Sequence, residues 1–467
     1  MLLVLFLIIS SFFSQSQKIE GNWQGTLAAG SQKLKLVFHV KIDSVHSLYA
    51  TFDSPDQGAF GISCSETNIK GDSLEMLIKV INGGYRGKWD GGNSLSGYYF
   101  QNGMHFPMDL IRVDSTILLI KPQTPKPPFP YNSEELEYDN LATGIHYSAT
   151  LTYPKSGEPF PAAILITGSG QEDRDETIFG HKPFAVIADY LARRGYAVLR
   201  VDDRGIGKST GNISNATSQD FAGDVETGLL ELQKRKDIDH KKIGLIGHSE
   251  GGLIAPMIAS KNNNIDFIIL LAGPGVKGTD LLALQSEAIA RVSGLSEKNA
   301  GALKILNKLI FQAVLNSRDS NSRYQDAWDA YLYWKKNTDT AVISSLGITD
   351  EVYQSIMKSE LKKLNSPWMI YFLQTDPAAY LTKLNCKVLA LNGSKDIQVV
   401  ADPNLAGIDS ALKKSHVKIY STRKLPGLNH LFQHCKTCTV AEYGELEESF
   451  APEALQIMGE WLDKNVK

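Results

Sequence analysis

The stretch Gly247-His248-Ser249-Glu250-Gly251-Gly252 follows Lys242-Ile243-Gly244-Leu245-Ile246, an apolar run that reads as a buried strand. Together they predict a sharp strand-to-helix turn with Ser249 exposed at the edge of a sheet. Glycines two residues before and after the serine let neighbouring backbone pass without Cβ clashes. A serine hydroxyl is a poor nucleophile alone, so this reading requires a histidine to take the proton and a carboxylate to orient that histidine.

Downstream residues offer one candidate for each role. Asp396 ends the segment Cys386-Lys387-Val388-Leu389-Ala390-Leu391-Asn392-Gly393-Ser394-Lys395-Asp396, an apolar strand that breaks at glycine and hands a carboxylate to the following loop. His430 lies in the turn-rich Leu425-Pro426-Gly427-Leu428-Asn429-His430, after the strand-like Val417-Lys418-Ile419-Tyr420 and before a final helix. The order serine, acid, histidine is the one expected on an α/β-hydrolase sheet. Asp396 could instead be an Asx-turn residue, Asp402 is a rival acid, and His434 is a rival base. The remaining histidines read as surface or supporting residues, and His248 should point away from Ser249 on the tight turn.

Acyl transfer also needs donors aimed at the developing oxyanion. The amide of Glu250 is one. The other is expected from Ala162-Ala163-Ile164-Leu165-Ile166-Thr167-Gly168-Ser169-Gly170-Gln171, a strand opening into a Gly-x-Gly turn, with Ser169 and Gly170 as candidates. The turn lacks the GxGxxG and GxxxxGK[ST] spacings of phosphate-binding loops, which argues against a nucleotide site. The charged run Glu172-Asp173-Arg174-Asp175-Glu176 reads as a loop brace.

Five motifs in order carry a family resemblance. They are Gly168-Ser169-Gly170 with Asp173-Arg174-Asp175, Asp202 with Arg204-Gly205, Gly207 and Ser209, Gly247 to Gly252, Asn392-Gly393 with Asp396 and Gln398, and Leu428 to Gln433. The chain resembles, over roughly residues 130 to 465, the bacterial α/β-hydrolases typified by the EstD-type carboxylesterases. The resemblance implies a serine carboxylesterase with the triad Ser249, Asp396 and His430. Two departures are Gln171, where a proline is common, and Cys435-Lys436-Thr437-Cys438, where cysteines are usually absent.

The 467 residues, 43% hydrophobic, can bury one large core and a smaller one. A net charge of −3 without a basic cluster gives no general attraction to nucleic acid. Residues 1–17 read as a signal peptide, because the apolar Met1 to Phe13 is short for a membrane span and Ser14 and Ser16 suit cleavage. The expected location is periplasmic or extracellular, with membrane contact only through the cleaved segment. Among four cysteines the one close pair is Cys435 and Cys438, a disulfide permitted by export or else free thiols. Zinc is disfavoured there, since His434 adds only a third ligand.

Residues 18–118 alternate in short runs broken by glycine and asparagine, which predicts a small all-β barrel or sandwich. Its Trp23, Trp89, Tyr98 and Tyr99 read as core. Residues 119–131, with Pro122, Pro125, Pro127, Pro128 and Pro130, read as an extended spacer. Residues 132–278 and 381–467 form the expected α/β catalytic domain, and 279–380 carry helical periodicity expected of a lid over Ser249. Of the insert's aromatics Trp328, Tyr331, Tyr333, Trp334, Trp368, Tyr371 and Phe372, two or three are expected to face a small-molecule ester substrate. The mechanism this implies needs no metal or organic cofactor. A peptidase or acyl-peptide hydrolase would use the same triad, and the alternative of another class is an exported glycan- or lipid-binding protein without catalysis. Oligomeric state is not legible.

Overall fold

A computed structural model describes residues 19–29, 32–42, 47–54, 59–113 and 121–467. The signal-peptide reading of residues 1–17 lies outside them. The chain divides into two compact units, the first running to residue 120 with 178–180, the second holding 121–177 and 181–467.

Among the described residues of the first unit, ten strands between Gly21 and Val113 form a single antiparallel sheet. The alternation read from the sequence is the packing: in Ser73–Ile78 every second residue is buried, as in Leu48–Ser54. Trp23, Phe38, Phe52, Tyr85, Trp89 and Tyr99 fill one core, around which the sheet curls as a half-barrel. Tyr98 differs from its neighbour, lying half-exposed on the other face beside His105, with ring centroids 4.9 Å apart.

The second unit is built on eight strands: β1 (Asn132–Asn140), β2 (Ile145–Tyr153), β3 (Phe160–Ile166), β4 (Ala197–Val201), β5 (Ile238–His248), β6 (Ile265–Leu271), β7 (Lys387–Gly393) and β8 (Tyr420–Leu425). Their order across the sheet is β1-β2-β4-β3-β5-β6-β7-β8. The pairs β1–β2 and β2–β4 are antiparallel, and the rest are parallel. Helices link the parallel strands and cover both faces, so the central strands are near-continuous apolar runs; Ile243 to His248 is buried throughout. This is the α/β-hydrolase sheet, and it aligns the C-terminal ends of β3, β5, β7 and β8 along one edge.

Between β6 and β7 lies an insert of seven helices, from Gly278–Val292 to Ala378–Leu381. Their starts follow local chemistry: the side chains of Ser296, Thr349 and Ser366 accept amides of the first helical turn, and Pro367 follows the last of these caps. The insert has its own core of Leu306, Ile310, Val314, Tyr331 and Trp334, joined by the half-buried Trp328. Tyr331 and Trp334 therefore pack helix on helix, and Tyr333 is 61% exposed. Trp368, Tyr371 and Phe372 pack instead against the core of the sheet.

The proline-rich stretch from Lys121 to Tyr131 is held by the second unit along its length. Lys121 Nζ donates to the carbonyls of Gly444 and Leu446, Gln123 bonds Ser449 and Phe450, and Tyr131 is buried. Among the described residues no helix is long and apolar enough to cross a membrane.

Candidate active site

β5 ends at His248, and the helix Gly251–Ala259 begins three residues later. Ser249 between them has φ of 52°, a left-handed conformation that costs a non-glycine residue about 1–3 kcal/mol and persists only when its surroundings over-determine it. Here its amide donates to Leu271 O at 2.9 Å, fastening the turn to β6. A Cβ on Gly247 would collide with the Gly251 carbonyl, and one on Gly251 with the Ile166 carbonyl. Both glycines are thus required by close backbone approach at the turn itself.

Asp396 and His430 come together from the loops after β7 and β8. His430 Nδ1 lies 2.8 Å from Asp396 Oδ2, with both side chains almost fully buried. The other carboxylate oxygen accepts the amides of Gln398 at 2.8 Å and Val399 at 2.9 Å. Asp396 is therefore both an Asx-turn residue and the partner of His430, the turn fixing the carboxylate that the imidazole meets. As an acceptor it holds the proton of His430 on Nδ1, which leaves the ring's lone pair on Nε2. The loop carrying His430 is closed by Asn429, whose Oδ1 accepts the amides of Leu431 and Gln433.

The rivals lie elsewhere. Asp402 is 77% exposed and pairs with Lys424. His434 is 56% exposed between Glu448 and Glu453. Cys435 and Cys438 form a disulfide just past the His430 loop.

No hydrogen bond joins Ser249 Oγ to His430 among the described residues. Their loops are joined one residue earlier, by His248, whose Nε2 is 3.0 Å from the carbonyl oxygen of His430 and whose Nδ1 is 2.8 Å from Glu176 Oε1. Glu176 Oε1 also accepts the amide of Gly168 at 2.9 Å. His248 does turn from Ser249, but into the support of the site rather than to the surface. Glu176 was hidden in a charged run whose other members are indeed loop braces: Arg174 bonds Asp202, Thr150 and Ser148, and Asp175 pairs with Lys182 and Arg200.

The amides of Glu250, Ser169 and Gly170 have no hydrogen-bond partner among the described residues, the arrangement an oxyanion site needs. Gly170 has φ of 127°, which few other residues adopt. The Glu250 side chain is buried, and its carboxylate accepts Ser218 Oγ at 2.5 Å and Trp368 Nε1 at 2.8 Å. Burial pushes this carboxyl above the usual range, against the donors Ser218, Trp368 and Ser169.

The sheet order and the tight turn at Ser249 are those of the α/β-hydrolase fold. Residues 182–362 match the family described as serine aminopeptidase, S33. The chain is 31% identical over 159 residues to Esterase EstD of Thermotoga maritima, a match covering 34% of this chain and 38% of that protein. It is 27% identical over 161 residues to the 2-hydroxy-6-oxononadienedioate/2-hydroxy-6-oxononatrienedioate hydrolase of Cupriavidus pinatubonensis, covering 34% of this chain and 52% of that one. The chain thus spans between about a third and a half of these relatives' length. An esterase structure from Pyrococcus furiosus superposes with a TM-score of 0.43 at 15% identity, over 76% of this chain and all of that one.

Proposed function

We propose that the chain hydrolyses small carboxylic esters through an acyl-Ser249 intermediate. The observation that carries this reading is the buried Asp396–His430 pair, held on the same sheet edge as the left-handed Ser249. His430 Nε2 takes the proton of Ser249 Oγ as the hydroxyl attacks the ester carbonyl, and returns it to the departing alkoxide. Asp396 keeps the Nδ1–H tautomer and stabilises the imidazolium. The amides of Glu250, Ser169 and Gly170 receive the oxyanion. Water then repeats the sequence against the acyl-serine. Similarity to Esterase EstD supports an ester substrate.

A peptidase reading is favoured by one observation, the match of residues 182–362 to the serine aminopeptidase family. Hydrolysis of p-nitrophenyl esters of increasing acyl length, beside aminoacyl anilides and Ser249→Ala, separates the two. Ester turnover lost in the variant, with little anilide cleavage, supports the esterase; anilide preference moves the reading to peptidase. We also propose that the chain is exported, on the apolar Met1–Phe13 leader and on the Cys435–Cys438 disulfide, a bond that persists in oxidising compartments.

A further inference from the structure

Resting on the triad reading above, we infer that His248 is held as an imidazolium and that, with Glu176, it positions the His430 loop and the Thr167–Gly170 turn against Ser249. Both are positioning residues, because neither is placed to touch substrate.

The charge follows from the partners. His430 O is a carbonyl and can only accept, so His248 Nε2 carries a hydrogen. Glu176 Oε1 accepts the Gly168 amide and faces His248 Nδ1; an ionised carboxylate has only lone pairs to offer, so with Glu176 charged that nitrogen carries one too. An imidazole with two N–H groups is a cation. It is buried with its counterion, at 7% and 4% side-chain exposure. Among the described residues the charged and titratable groups around the pair are His430 and Asp396 near His248, and Glu172 and Asp203, the acceptor of Thr167 Oγ1, near Glu176. Burial opposes the charge on His248, but the Glu176 carboxylate, the His430 carbonyl and Asp396 together hold it above the ordinary imidazole value.

The ion pair ties three loops at one point. Glu176 holds Gly168, beside the proposed oxyanion donors; His248 is the chain neighbour of Ser249; and His430 O is the backbone of the proposed base. The His248 and His430 rings lie 4.7 Å apart. A hydrogen bond from a cation to a carbonyl is stronger than a neutral one, and buried away from water it fixes the backbone it grips. An error of about 1 Å in such a site can cost roughly a hundredfold in rate. One buried pair thereby sets the relation between nucleophile, base and oxyanion turn.

Glu176→Gln, His248→Gln and the double variant, in the full chain, test this through ester kcat and KM against pH, with Ser249→Ala as reference. Glu176→Gln is expected to lower kcat by about tenfold to a hundredfold with little change in KM. The loss should deepen as pH rises, since an imidazole without its carboxylate gives up a proton and can no longer serve both acceptors. The double variant should be no worse than the poorer single one, because both remove the same tie. In parallel, ring-nitrogen NMR of the wild-type chain at pH 8 should show both nitrogens of His248 protonated, a readout that survives if a variant fails to fold. Wild-type kcat and pH profile in folded Glu176→Gln, losses that multiply in the double variant, or a neutral His248 ring would each overturn the inference. Wild-type turnover no greater than that of Ser249→Ala would instead refute the triad reading, and the nitrogen spectrum would still decide the charge.

Discussion

Trp368, in the first turn of the insert helix Pro367–Gln374, donates its indole N–H to both carboxylate oxygens of Glu250, at 2.8 and 3.0 Å. The insert is thereby bonded to the residue that follows Ser249. Glu250 is buried, so each donor it loses leaves charge without compensation. Trp368→Phe keeps the stacking on Phe372, whose ring centroid is 5.3 Å away, and removes only the donor. It should destabilise the chain by about 1–3 kcal/mol, read as a lower urea midpoint at constant slope.

Asp396→Asn should leave the fold intact, since an amide oxygen can still accept from Gln398 and Val399. It should nonetheless lower kcat by about 10⁴-fold, because the amide favours the wrong tautomer of His430. Thermal melting and ester turnover measured together check both halves.

Asp203 accepts Thr167 Oγ1 at 2.9 Å and the Glu172 amide at 3.0 Å, yet burial pushes its carboxyl from 3.8 up to about 7. Glu172 is driven the same way by burial and by the nearby Glu176 and Asp203. A raised carboxyl binds its proton more tightly in the folded chain, so stability should fall as pH rises from about 4 to about 7. Asp203→Asn should flatten that slope. Melting temperatures at pH 5 and pH 8 would show it as a larger gain for the variant at pH 8.

Glu442 gathers the loop beyond His430 by accepting the amides of Lys436, Thr437 and Cys438 and the Thr437 hydroxyl. Burial works against its charge, but these donors prevail and hold its carboxyl below the ordinary 4.5. Its contribution is present above that value and should be lost as pH falls through the lowered one. The Cys435–Cys438 bond closes so short a loop that its reduction should cost about 2 kcal/mol at most. Ester turnover should therefore survive a reductant better than it survives Glu442→Ala.

The legible parts of this molecule are those whose signals are local. A strand buried on both faces reads as an apolar run, so Ile243 to Ile246 announced the turn at Ser249, and Asp396 and His430 stood out at the ends of comparable runs. The His248–Glu176 contact spans 72 residues and the Trp368–Glu250 contact spans 118, and no spacing rule reaches that far. Glu176 looked like one charge among several because Asp173, Arg174 and Asp175 do brace the loop. In the insert, the period that buries Tyr331 and Trp334 in its own core is the same period a pocket wall would show. Alternation in the first unit marked strands, but whether a sheet curls or splits depends on twist and closure that the pattern does not encode.

In the proposed mechanism Ser249 carries the acyl group, so a fluorophosphonate probe, followed by intact mass and peptide mapping, should mark it. One adduct on the peptide containing Ser249, absent in Ser249→Ala and formed far more slowly in His430→Ala, is the predicted result; an adduct on another residue, or labelling undiminished in Ser249→Ala, would contradict it.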